Sequence, residues 1–263
     1  MIKFKHKNKR KGEIVMKKSE SKIKILKCIL LVIAIILCIL LTIVVRRTII
    51  LSKIDKKVSE LENNNNNFYI KTSYIDRRNY TSVIRRYIKG DVSKLVIEKT
   101  TAEGNNAKII EITYPEERKL FTEVNDSKVM NVYKEKTAVR GAHIEKGTES
   151  SYTTFSNPGY STSINDLIVN AIVTSIKTVK MDGKDCYELS SKMNTNFLYD
   201  DNTTKFLIYV EKETCLTLKI VEEVNVNGEI KQVVKDFEYQ FNQVTDEEIS
   251  EPDNSEYKMQ ENS

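Results

Sequence analysis

The pattern of apolar and polar residues changes sharply along the chain, from one long apolar run to extended alternation. Residues 28–45 read CILLVIAIILCILLTIVV, in which Thr42 is the only clearly polar residue. A helix rises 1.5 Å per residue, so this run spans roughly 27 Å, close to the thickness of the hydrocarbon core of a bilayer. The sequence therefore predicts one transmembrane helix, assigned to residues 28–47.

Two further elements follow the predicted span. Leu51, Ile54, Val58 and Leu61 stand at heptad spacing, which predicts a short juxtamembrane helix with fewer than two heptads, too few to establish a coiled coil. Five asparagines at 63–67 then predict a linker, because asparagine favours neither helix nor strand. We therefore divide the chain into a tail (1–27), the span, a juxtamembrane helix with linker (48–67), a domain (68–249) and a flexible C-terminal tail (250–263).

The domain reads mainly as short strands separated by turn residues. Two dipeptides, Asp182-Gly183 and Asn227-Gly228, are strong hairpin signals, and hairpin-length spacing favours antiparallel neighbours. The expected class is α+β with a mostly antiparallel sheet. The predicted strands are 68–74, 80–88, 93–101, 108–114, 118–124, 128–134, 177–181, 184–190, 206–210, 216–226 and 229–241.

One helix interrupts the strands, after a loop predicted at 137–160 that is rich in small polar residues, glycine and proline. The helix is predicted over 163–176, where apolar residues recur at helical spacing on one face. We expect this face to pack on the sheet and to line a ligand site. Its members are Ile164, Leu167, Ile168, Ala171, Ile172 and Ile176.

Charge indicates the orientation of the span. Residues 1–27 hold eleven Lys and Arg against two Glu, a net charge of +9 in a chain of net +5, so the remainder carries −4. Basic residues collect on the cytoplasmic side, which places the tail in the cytoplasm and the domain outside the cell membrane. This split is typical of a membrane protein and not of a nucleic-acid binder. A cleaved signal peptide is the disfavoured alternative, since the run is long and no A-x-A site follows it.

Three segments of the second half carry a resemblance to a known family. They read DGKDCY at 182–187, YVEKET at 209–214 and FEYQF at 237–241. This part of the chain resembles the LolA-like superfamily of lipoprotein-carrier-like proteins, here in a membrane-anchored form from a single-membrane bacterium. The resemblance implies an open, strongly curved antiparallel sheet, a half-barrel, whose concave face is covered by helices. It also implies that lipid or lipoprotein acyl chains bind on that face.

The reactive residue types are few. Cys186 and Cys215 are the only cysteines outside the span, and the sequence leaves open whether they form a disulfide, because two strand spacings of about 9.6 Å would exceed its reach. Outside the tail, His143 is the single histidine, and no metal-ligand spacing, P-loop or G-x-S-x-G motif occurs. We therefore expect no catalytic residue, metal or cofactor.

The expected function is a non-enzymatic one at the cell envelope. The leading hypothesis is an extracytoplasmic domain that binds a hydrophobic, lipid or lipoprotein ligand, for sensing or local hand-over. The alternative is a signalling or scaffold domain that binds another envelope protein without a small ligand. A hydrolase would need His143 beside a serine and a carboxylate.

Overall fold

The computed structural model describes residues 3–76, 78–125, 127–134, 164–191 and 203–261. The chain forms two compact units, residues 1–48 and 49–263, and helix α1 (Lys3–Asn64) provides the first unit and the start of the second. Among the described residues, one helical stretch, Leu26–Leu61, is long and apolar enough to cross a membrane. Its most apolar window has no buried residue. One apolar N-terminal helix is thus present, as the sequence predicts.

The described residues of the second unit form one open, curved sheet of twelve strands. The order is β12-β6-β5-β4-β3-β2-β1-β11-β10-β9-β8-β7, so neither edge strand pairs with the other. All neighbours are antiparallel except β12 and β6, which run parallel. The α+β class and the mostly antiparallel sheet are confirmed. The strands are β1 (Asn67–Ile75), β2 (Thr81–Lys89), β3 (Val92–Thr100), β4 (Asn106–Thr113), β5 (Glu117–Val124), β6 (Ser127–Lys134), β7 (Thr174–Met181), β8 (Lys184–Ser191), β9 (Thr203–Glu211), β10 (Thr217–Val226), β11 (Glu229–Phe241) and β12 (Lys258–Glu261).

The two hairpin signals form the turns that their chemistry requires. Asp182 and Gly183 have φ of 51° and 81° between β7 and β8, and Asn227 and Gly228 have φ of 54° and 92° between β10 and β11. Positive φ at both central residues defines the type I′ turn, whose twist matches that of the flanking strands. These turns fix the register of the two hairpins.

The predicted helix 163–176 is shorter than expected. Helix α2 spans Ile164–Val173, and Ile176 lies in β7, where it pairs with Leu189 of β8. The apolar residues of this stretch fit both periodicities, and pairing with β8 through the type I′ turn extends the strand back to Thr174. Ile176 is therefore wrongly assigned to the helix by its spacing alone.

The juxtamembrane residues belong to the folded domain and not to a separate linker. Leu51, Ile54 and Val58 are 0%, 2% and 2% exposed, and α1 continues to Asn64, shortly before β1 begins. The Lys53 Nζ donates a hydrogen bond of 3.3 Å to the carbonyl of Lys212, which follows β9. The heptad spacing thus marks a helix face that is buried within this unit.

Successive side chains along each strand point to opposite faces of the sheet. We call the face that carries Val96, Ile110 and Phe121 the strap face, because the C-terminal strap described below lies across it. On it, Val96, Ile110, Ile112, Phe121 and Met130 form a buried cluster. We call the opposite face, which carries Ile84, Arg86 and Glu111, the Arg86 face.

The C-terminal segment is a strap across the strap face, where the sequence predicts a flexible tail. This strap, residues 244–261, begins with Val244, which is 4% exposed, and helix α3 (Asp246–Ile249), and it ends in β12. The Tyr257 ring packs edge-on against Phe121 at a centroid distance of 5.2 Å. Polarity is a poor guide here, because long-range pairs hold the segment.

Acidic groups of the strap pair with lysines of the sheet. Asp246 Oδ1 lies 2.6 Å from Lys89 Nζ, and Glu251 Oε1 lies 2.7 Å from Lys119 Nζ, while Lys128 pairs with Glu256. The Tyr114 hydroxyl also donates to Glu251, at 2.9 Å. Each exposed pair contributes little alone, but they share one segment and act together.

We expect the strap to loosen at alkaline pH. Burial and the hydrogen bond to the Glu251 carboxylate raise the pKa of Tyr114 from its ordinary value of 10.0 to about 12. A raised folded-state pKa contributes stability that is fully present below pH 10 and is lost as pH rises through about 12. Titration of ¹³C-labelled tyrosine rings by NMR measures this value. The Glu251→Gln variant should lower the pKa of Tyr114, and an unchanged value would contradict the assignment.

Candidate functional site

The Arg86 face of strands β2 to β6 is the candidate site, and the strand register orders its side chains into rows. One row is mostly apolar and crosses five strands, with Ile97 paired to Ile84 on one side and to Ile109 on the other. Its members are Ile84, Ile97, Ile109, Thr122 and Val129. Cross-strand neighbours stand about 4.8 Å apart, so this row forms a continuous surface.

The apolar side chains of this face in β3 to β6 are half-buried. They share this intermediate exposure although they lie in the middle of a large sheet, and they are Leu95, Ile97, Ile109, Leu120 and Val129. On the strap face of the same strands, Ile112 and Phe121 are 0% exposed. The same strands therefore carry a closed core on one face and an accessible apolar surface on the other.

Charges on this face are sparse and mainly positive. In β1 to β6 the register places Arg86, Lys99, Glu111 and Arg118 on it, three bases against one acid. The Glu111 Oε1 lies 3.8 Å from Arg118 Nη1, and the Arg118 guanidinium stacks over the Tyr133 ring at 4.8 Å. Glu111 is thus engaged with Arg118.

Arg86 differs from the other charges. It lies on β2 opposite Ile70 of β1 and Leu95 of β3, and neither a hydrogen bond nor an ion pair joins its side chain to the rest of the described chain. Burial lowers the pKa of Arg86 below its ordinary value, although the nearby charge of Glu111 acts to raise it. Its guanidinium holds five donors in an apolar surrounding.

The neighbouring Arg85 provides a contrast within one strand. It enters the strap face, and its Nη1 lies 2.6 Å from Glu98 Oε2 of β3. Two adjacent arginines therefore have opposite environments, since Arg85 is paired and Arg86 has no hydrogen-bond or ion-pair partner among the described residues. This difference follows from the two-residue period of the strand.

The face continues across β8 to β11 as a buried apolar surface. Leu189, Ile208, Val210 and Val224 are at most 2% exposed there. One ion pair interrupts it. The Lys235 Nζ of β11 lies 2.6 Å from Glu222 Oε1 of β10 and over the Tyr74 ring at 5.6 Å.

The apolar side chains of the predicted ligand-facing helix differ in their exposure to solvent. In α2 the Ala171 side chain is buried, whereas Ile168 and Ile172 are 40% and 58% exposed. Ile164 and Leu167 lie in α2, and their side chains fall outside the described residues, as do the predicted loop 137–160 and His143. The role of this helix as a ligand cover stays a prediction.

The two cysteines outside the predicted span, Cys186 and Cys215, are free thiols, so the structure does not form the disulfide that the sequence left open. Cys186 lies on β8, opposite Val179 of β7, with its Sγ 3.7 Å from the carbonyl of Lys184. Cys215 lies in the turn after β9 with φ of 61°, near Lys53 of α1. Both are buried, and burial raises the pKa of both thiols.

Within the described ranges no group of three or more His, Cys, Asp or Glu is placed to hold a metal ion.

The sequence analysis missed Arg86, Glu111 and Arg118. The signal for Arg86 was present, because two consecutive arginines in an alternating strand must enter opposite faces.

Comparisons with known proteins find similar folds only among solved structures. No family model and no curated protein matches the chain. An uncharacterized conserved protein from Thermus thermophilus is 9% identical with a TM-score of 0.41, over 80% of this chain and 98% of its own. A DUF1329 family protein from Desulfovibrio piger is 15% identical with a TM-score of 0.29, over 79% and 97%. A LolA superfamily protein from Nitrosomonas europaea is 13% identical with a TM-score of 0.26, over 76% and 96%.

Proposed function

We propose that this protein is a membrane-anchored binding domain outside the cytoplasmic membrane, and that its Arg86 face receives a hydrophobic or lipid ligand. The half-buried apolar side chains of β3 to β6 on this face carry this proposal. The strap already covers one face of the sheet. Covering the apolar surface of the other face would stabilise the domain further, since each Å² of apolar surface removed from water contributes roughly 25 cal/mol. A ligand can supply that closure.

The charge distribution and the apolar helix support the anchored topology. A basic segment before the span and a net-acidic remainder favour a cytoplasmic N-terminus. Anchoring keeps the binding face near the bilayer, which suits sensing or local hand-over of a lipid more than long-range transport. The role proposed is binding without catalysis, and the protein acts on no bond of its ligand.

Photo-crosslinking of the full-length protein in nanodiscs tests this proposal. The probe is a phospholipid with a photoactivatable group in its acyl chain, and adducts are located by peptide mass spectrometry. We expect adducts on strands β3 to β6 in addition to the apolar helix. Adducts confined to residues 26–50 would contradict the proposal, since they would show lipid contact through the anchor alone.

A matched pair of variants locates the binding face. Leu120→Glu places a carboxylate on the Arg86 face, and we expect it to reduce the adducts on β3 to β6 several-fold because a charge cannot be buried against an acyl chain without cost. Val221→Glu introduces the same side chain at a half-buried position on the opposite face of β10. Equal losses in both variants would indicate general unfolding and count against the site.

A further inference from the structure

Arg86 stands out on a face that otherwise offers apolar contacts. Its cross-strand neighbours are Ile70 and Leu95, and its neighbours along β2 on the same face are Ile84 and Ile88. Ile70 and Ile84 are each 7% exposed. Arg86 itself is half-buried, and a guanidinium in such a surrounding gains by donating its hydrogen bonds to an anion.

The chain itself does not supply that anion within the described residues. Glu111 lies two strands away, roughly 9.6 Å by strand spacing, and its carboxylate is within 3.8 Å of Arg118. Arg86 forms no ion pair there, whereas Arg85 on the opposite face is paired with Glu98 at 2.6 Å. The register places three bases and one acid on this face of β1 to β6.

We propose that Arg86 binds the anionic headgroup of an amphiphilic lipid whose acyl chains lie on the apolar row of the same face. A guanidinium donates two parallel hydrogen bonds to a phosphate or carboxylate, which fixes the orientation of the headgroup. Ile97, Ile109 and Val129 extend away from Arg86 across neighbouring strands, where acyl chains would continue. This inference rests on the proposed function and names the ligand class: an anionic lipid, and not a neutral one or a free anion.

The test compares two photoactivatable lipids with identical chains, phosphatidylglycerol and phosphatidylcholine, in nanodiscs that hold the full-length protein. We expect wild-type β3 to β6 to be labelled preferentially by phosphatidylglycerol. Arg86→Gln should reduce that preference by about tenfold or more, as expected for the loss of a charge-assisted hydrogen bond. Arg85→Gln, the adjacent arginine on the strap face, should leave the preference unchanged.

The other outcomes separate the two proposals. Equal labelling by both lipids on β3 to β6 would overturn the anionic-headgroup inference while the proposed function stands. An unchanged preference in Arg86→Gln would also overturn it. Adducts confined to the apolar helix would overturn the proposed function as well. Arg86→Lys retains the positive charge but lacks the planar guanidinium donors, so we expect it to keep part of the preference for phosphatidylglycerol. A partly retained preference shows that substitution at position 86 leaves the protein folded.

Discussion

Replacing Phe121 by alanine is expected to destabilise the domain by about 3–5 kcal/mol, as for large-to-small changes at fully buried aromatic positions. Phe121 is 0% exposed, pairs with Ile110 and Met130 across its strand neighbours, and meets the Tyr257 ring of the strap. Its removal leaves a cavity and takes away the surface on which the strap packs. Urea unfolding followed by far-ultraviolet circular dichroism measures the change in the free energy of unfolding.

Val124→Ala is the matched control for this variant. Val124 lies on the same strand, β5, but enters the opposite face and is 45% exposed, so we expect a change within about 0.5 kcal/mol. Limited proteolysis gives a second readout, since Phe121→Ala should expose the strap to cleavage. A Phe121→Ala protein as stable as the Val124→Ala protein would contradict the proposed packing of the strap.

Glu222→Gln is expected to cost about 3 kcal/mol or more, the second large effect. Glu222 and Lys235 have side chains 12% and 10% exposed, and their charged atoms are 2.6 Å apart. Removing one charge of a buried pair leaves the other charge in a low-dielectric surrounding without that partner. The free energy of unfolding near neutral pH is again the measurement.

The next residue gives the control for this pair. Glu223 enters the opposite face, where it pairs with Lys205 at 3.0 Å, and the Lys205 side chain is 38% exposed. Glu223→Gln should therefore cost less than about 1 kcal/mol. The double variant Glu222→Leu, Lys235→Leu should recover most of the loss, because apolar pairs replace buried ion pairs at little cost. Equal losses for Glu222→Gln and Glu223→Gln would show that burial does not set the strength of the pair.

The strands and hairpins were predictable because their signals are local. Alternating apolar residues and the two type I′ turns need only neighbouring residues, and they place β7, β8, β10 and β11 correctly to within a few residues. The class of the fold follows from them. The order of the strands in the sheet does not follow from these local signals, since β1, at the start of the domain, pairs with β11, near its end.

The strap and the end of α1 were not predictable in this way. The strap is polar apart from isolated residues such as Tyr257 and Met259, and its position depends on lysines more than a hundred residues away, such as Lys128, which pairs with Glu256. The heptad face of α1 indicated a helix with Leu51 and Ile54 on one side, but spacing alone cannot tell whether that side is buried within the same chain or against a second helix.

The candidate site was missed for a related reason. The sequence analysis placed the ligand site on helix 163–176, whose spacing was strong, and it named no site residue in the predicted strand 80–88, where Arg86 lies. Only the register shows that Arg86 and Glu111 share a face with the apolar row.

The parallel pairing of β12 with β6 has a consequence for biosynthesis. Glu123 and Tyr257 contact each other although 134 residues separate them. During translation the cluster around Phe121 therefore stays incomplete, with one side open to water, until nearly the whole domain has been made. Such long-range closure slows folding and exposes apolar surface meanwhile. A nascent chain stalled before Tyr257 should thus be bound by chaperones, while a chain that includes the strap is released.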